Sequence, residues 1–226
     1  IDTNEYLRRF IDIEYSIPEP EPIKFFNYLY DYYDFNSFFK SQERLQYNEL
    51  QNDSDNFRSI SKIFLNGLTL RQQEKILSHS RIVLRTINYD NYLVPFFFVF
   101  MIFIKDQHRK YYDKLISKRE NITEIHDEFF SIIKPYMNSE NKRFFLSLEG
   151  YLLIYYQNYI SPYKLEVTLY NWISETKSYK LNISSKINDE DLLNFFNKSN
   201  GMSSIYDLSL EYFIKKIELT EDIKIN

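Results

Sequence analysis

With 226 residues, 44% of them hydrophobic and 27% charged, the chain can bury a sizeable core and does not read as a disordered tail. The absence of cysteine excludes a disulfide framework, a thiolate nucleophile and a cysteine-based zinc site, and makes a reducing cytoplasm the expected compartment. A net charge of -4 repels phosphate backbones and anionic membranes at long range, so nucleic-acid binding would need a local patch.

In chain order, the first signal is Arg9 to Ile17 (RFIDIEYSI), where Ile11, Ile13, Tyr15 and Ile17 alternate with Asp12, Glu14 and Ser16. That period predicts a half-buried strand. A lone strand leaves its backbone groups unpaired, and no comparable run follows nearby. The expectation is that its neighbours lay upstream of Ile1, and that the prolines from Pro18 to Pro22 mark the exit from their sheet. The chain therefore reads as a piece of a longer polypeptide, with residues 1–20 a remnant and residues 21–226 a helical region that divides, if at all, near 120–140.

From Pro22 the period becomes helical, with Ile23, Phe26, Leu29, Tyr30 and Tyr33 on one face and an end at Asp34 to Ser37. The polar stretch Asn48 to Asp55 predicts a mobile loop. Residues 56–66 predict a short helix stopped by Gly67, and Thr69 is the expected cap of a helix over 70–86. The run Tyr92 to Ile104 (YLVPFFFVFMIFI) spans about 20 Å as a helix, short of a hydrocarbon slab of about 30 Å, and predicts a buried core helix rather than a membrane span. Further helices are expected near 92–117, 124–137, 140–160, 164–178, 189–198 and 204–218. Thr123, Ser139, Asp189 and Ser203 are the expected caps, and Leu165 to Trp172 is the stretch that reads equally as a strand.

Chemistry is expressed largely by what is missing. The three glycines, Gly67, Gly150 and Gly201, are too scattered for either glycine-rich phosphate loop. His79, His108 and His126 show no HExxH spacing, so no metal is assigned, and there is no GxSxG elbow. Lys105, Arg109, Lys110 and Lys114, with Lys118 and Arg119, concentrate positive charge around Tyr111 and Tyr112. The stretch reads either as a solvated helix face, diluted by Asp106, Asp113 and Glu120, or as a grip on single-stranded nucleic acid. The 21 Tyr and 20 Phe, with no Ala, suggest a ring-packed core that leaves some rings exposed for protein contacts or self-association.

Tyr6 to Pro20 (YLRRFIDIEYSIPEP) resembles the segment that follows the nucleotide-binding core in bacterial KAP-family P-loop ATPases. Leu65 to Leu77 (LNGLTLRQQEKIL), Ile82 to Phe97 and Ile214 to Leu219 look like later blocks of the same proteins, in the same order. The resemblance implies a mainly α fold: a multi-helix C-terminal bundle with one N-terminal strand left over from a P-loop core. It further implies that ATP and magnesium belong to the parent protein, with no cofactor in this fragment and no ATPase activity on its own. By the same resemblance Arg9 is the arginine-finger-like candidate and Arg71 the nucleotide-sensing one, a planar guanidinium being suited to phosphoryl oxygens. From the residues alone, Arg8 and Arg9 can equally pair with Asp12 or Glu14, and Arg71 with Glu74. Alternatives from other classes are a freestanding helical adaptor and a nucleic-acid-binding helical module.

Overall fold

The computed structural model describes residues 21–89, 93–160, 168–173, 178–199 and 209–219. Arg9, the strand expected over Arg9 to Ile17 and the cap expected at Ser203 lie outside the described residues. Within them the fold is mainly α: α1 Pro22–Tyr32, α2 Phe35–Phe39, α3 Gln42–Leu45, α4 Asp53–Leu65, α5 Leu70–Leu84, α6 Pro95–Gln107, α7 Arg109–Ser117, α8 Ile122–Ile133, α9 Lys142–Ile160, α10 Asp189–Ser199 and α11 Leu210–Glu218. The described residues also hold one two-stranded antiparallel sheet, β1 Tyr170–Ile173 with β2 Ser178–Leu181, in the register Tyr170 to Leu181.

Helix α6 is the axis of the bundle. Its apolar run has no polar face, so the helix must be enclosed on all sides; Phe97 to Ile104 are all buried, and α4, α5, α7, α9 and α11 pack around it. No described helix is long and apolar enough to cross a membrane. Ring-to-ring contacts dominate: Phe64 of α4 stacks on Phe103 at 4.7 Å, and Phe97 meets Tyr155 of α9 edge-on at 4.9 Å. Helix α8, which spans the suggested division near 120–140, packs against both α7 and α9.

Local signals set several boundaries as expected. Gly67 adopts φ +87°, the left-handed turn glycine takes without strain. Thr69 caps α5, and Gln72 answers it to complete a capping box. Other expectations need correction. The helix expected over 92–117 breaks at His108 (φ -130°, ψ 50°) into α6 and α7. The supposed loop Asn48 to Asp55 instead holds a 3-10 turn over Asn48–Leu50 and the start of α4, with Leu50, Asp53 and Ser54 buried. Asn121 rather than Thr123 caps α8, and Asn188 Oδ1 accepts from the Asp191 N–H, where Asp189 was the expected cap. Helix α9 begins at Lys142, and α11 at Leu210 under a Ser209 cap. Over 164–178, expected as a helix with a strand as the alternative from Leu165 to Trp172, residues 170–173 are a strand: Tyr170 stacks on Phe196 of α10 while its backbone pairs with Leu181.

Helices α9 and α10 approach closely because Gly150 has no side chain. A Cβ there would stand 2.2 Å from the Phe195 ring, which Tyr151 holds edge-on at 5.1 Å. Gly150→Ala is therefore expected to destabilise by roughly 1–2 kcal/mol after the helix-propensity gain of alanine is counted. Thermal melting checks this, and a midpoint equal to wild type would mean that the ring yields without cost.

Candidate functional site

Arg71 lies in the first turn of α5, exposed to solvent, and makes no side-chain hydrogen bond or ion pair with a described residue. The expected alternative, a bridge to Glu74, does not form. The turn that carries it is braced on two sides. Thr69 Oγ1 accepts from the Gln72 N–H while Gln72 Oε1 accepts from the Thr69 N–H at 2.9 Å, and Gln72 Nε2 donates to Gln107 Oε1 at the end of α6 at 3.0 Å. Beside them Lys75 pairs with Asp106, and the buried Gln73 amide donates to the Leu65 and Leu68 carbonyls of the preceding turn. The result is an exposed cation on a braced base: the guanidinium, without a partner among the described residues, stands at the start of a helix, where the dipole favours an anion. The crevice nearby, between α1 and Gln73, holds only about 10 Å³, so any such anion is met at the surface rather than in a pocket.

The basic stretch is divided by the fold. Lys105 is buried, and its Nζ donates to the Ile217 carbonyl at the end of α11 at 3.1 Å; His79 Nε2 reaches the same oxygen at 3.1 Å. Lys105 and His79 close the C-terminal end of α11, where carbonyls carry partial negative charge, and Lys216 reciprocates by donating to the Thr86 carbonyl. Tyr111 and Tyr112 are buried as well, so neither ring can stack on a base. Arg109 pairs with Asp113 at 2.9 Å and Lys114 with Glu128 at 2.6 Å, the carboxylate raising the Lys114 ammonium above its ordinary value. Lys110 alone of the four candidates is exposed without a side-chain partner among the described residues. What reads along the chain as one patch is thus a core-facing group and a set of surface pairs.

Two buried polar clusters went unread in the sequence. In the first, Arg44 Nη2 donates to Asp53 Oδ2 at 2.5 Å, with side-chain exposures of 0% and 3%. Arg44 Nη1 also donates to the Tyr89 carbonyl at 3.0 Å, and its guanidinium lies 4.7 Å from the centre of the Phe38 ring. Burial pushes the Asp53 carboxyl up to about 7 and the Arg44 guanidinium down, the attraction between them offsetting only part of the desolvation. In the second, Glu149 accepts from His126 Nε2 at 2.6 Å, Ser185 Oγ at 2.7 Å and the Lys186 N–H at 2.9 Å. The Lys186 side chain continues the clamp to Asp127 at 2.6 Å and holds that carboxyl below its usual range.

The resemblance of Glu149–His126–Ser185 to a catalytic set is superficial. The hydroxyl addresses the carboxylate and not the imidazole, and His126 and Glu149 are sealed at 1% and 0% exposure, where no substrate reaches. Among the described residues no group of three His, Asp or Glu is placed to hold a metal ion. The chain matches no protein-family model, no curated protein and no solved structure.

Proposed function

We propose that the chain is the helical lid and interaction region of a KAP-like P-loop ATPase, coupling nucleotide state to partner contacts in the cytoplasm without hydrolysing ATP by itself. The reading rests on the four resembling blocks in Tyr6 to Pro20, Leu65 to Leu77, Ile82 to Phe97 and Ile214 to Leu219. One observation carries it: Arg71 stands exposed, without a partner among the described residues, on a turn that Thr69, Gln72 and Gln107 hold in place. A charge that senses a phosphate must be free to pair and fixed enough to report, and Arg71 meets both conditions. ATP and magnesium then belong to the upstream core, and Arg9 is the finger-like partner residue on the same reading.

In the parent polypeptide with its P-loop core, Arg71→Ala is expected to lower ATP turnover roughly tenfold or more, with partial recovery in Arg71→Lys. Wild-type turnover in Arg71→Ala would remove the residue from the mechanism, and the same measurement on Arg9→Ala decides that residue. A second reading, a freestanding helical interaction module, is favoured by the outer face of α1. Tyr28 and Tyr32 are 59% and 66% exposed there and stack on one another at 5.8 Å. The two readings part on the sequence upstream of Ile1, where the ATPase reading requires a GxxxxGK[ST] motif.

A further inference from the structure

We propose that the groove between α9 and α10 binds a small organic phosphate, a phosphate ester carrying a flat or apolar group of about mononucleotide size. This goes beyond the lid reading and shares no residue with Arg71. The groove encloses about 610 Å³, within the range of small-molecule sites. Its walls are cationic and its floor is not: Lys142 and Arg143 rise from the start of α9 and Lys198 from the end of α10, over Leu146 and a half-buried Phe195.

The charge of the groove comes from both helices. Glu149 grips Ser185 and Lys186 just ahead of α10, and the Phe195 ring lies on Gly150, so α10 is held against α9 along the groove. Lys142, Arg143 and Lys198 all line it. Asp191, the one carboxylate lining the groove, precedes Lys198 by seven residues and stands about 10 Å along the helix at 1.5 Å per residue. None of the three cations makes a hydrogen bond or ion pair with a described residue, although the chain as a whole is acidic. Three cations against one carboxylate leave the groove positive, and an anion bound there relieves the repulsion among them.

Ser147 and Asn194 add neutral hydrogen-bonding groups beside the cations, as a phosphate ester requires. Inorganic phosphate by itself would leave the Leu146 and Phe195 floor in water, whereas a flat substituent pointing toward Asp191 covers it. A long nucleic-acid backbone fits less well, since it would run on from the three cations across a net negative surface.

Isothermal titration of the 226-residue chain with AMP and with phenyl phosphate, at about 50 mM salt, tests the site. At least one of the two is expected to bind roughly tenfold or more tightly than adenosine or inorganic phosphate. The exposed triple variant Lys142→Gln/Arg143→Gln/Lys198→Gln, with an unchanged circular dichroism spectrum, should weaken that binding about tenfold or more, and about 500 mM salt should weaken it in the wild type. Failure of both esters to saturate by about 10 mM, or equal binding by the triple variant, overturns the proposal. Tighter binding of a single-stranded oligonucleotide or a polyglutamate peptide than of either ester also overturns it, and reassigns the groove to a macromolecule.

Discussion

Asp53→Ala is expected to cost about 3–5 kcal/mol of folding stability and to lower the melting midpoint by roughly 6–20 °C. The cost comes less from the lost attraction than from what remains: a guanidinium at 0% exposure, enclosed by Phe38 and Phe39, whose buried charge has lost the carboxylate that balanced it. The double replacement Arg44→Met/Asp53→Leu removes both charges and fills a similar volume, and is expected to recover most of the loss. If the double variant were as unstable as the single one, the uncompensated charge would not be the cause. The pair also has a pH signature. Because the folded carboxyl sits at about 7 against an ordinary value near 3.8, the folded state holds its proton more tightly than the unfolded state does. That contribution is fully present below about pH 4 and is lost as pH rises toward 7. Relative to Asp53→Asn, the wild type should therefore lose stability across that window in urea titrations at successive pH values, and a flat difference would contradict the assignment.

Glu149→Leu is the second large effect, expected at about 2–5 kcal/mol. One carboxylate satisfies three donors, and its removal strands the His126 ring nitrogen in the core together with the Ser185 hydroxyl and the Lys186 amide. The loss should be local before it is global, because those bonds fix the segment leading into α10. Hydrogen exchange is expected to accelerate at the Lys186 amide and along α10 while α6, enclosed by five helices, stays protected. His126→Phe, which keeps the ring and leaves Ser185 and Lys186 bonded to Glu149, should cost less than Glu149→Leu. Equal costs would place the main energy in the imidazole contact instead of the clamp.

The parts of this molecule that were legible along the chain are those decided within one helical turn or by unbroken apolar character. Gly67 and Thr69 announce a stop and a start because a left-handed residue and an N-cap act on groups three or four positions away. The run through Ile104 announces burial because a helix apolar on every side has no face to give to water. His108 carries no such local mark, and the break between α6 and α7 was missed.

Polar residues behaved differently, since their meaning depends on partners the chain brings from elsewhere. Asp53 sits in a stretch rich in Asn, Asp and Gln and reads as a solvated loop; it is buried against Arg44, whose guanidinium in turn lies over the Phe38 ring. Lys105 reads as part of a basic patch, yet it ends on a carbonyl 112 residues later. Glu149 and Lys142, seven residues apart on one helix, go to opposite fates, one sealed in the core and the other in open solvent. The sequence by itself determined the helical class, the central apolar helix and the boundary from Gly67 to Thr69, because hydrogen bonding and hydrophobic periodicity act over a few residues. Only the tertiary structure decided which charges are buried pairs and which are free to meet a ligand, because desolvation depends on the neighbours that packing supplies.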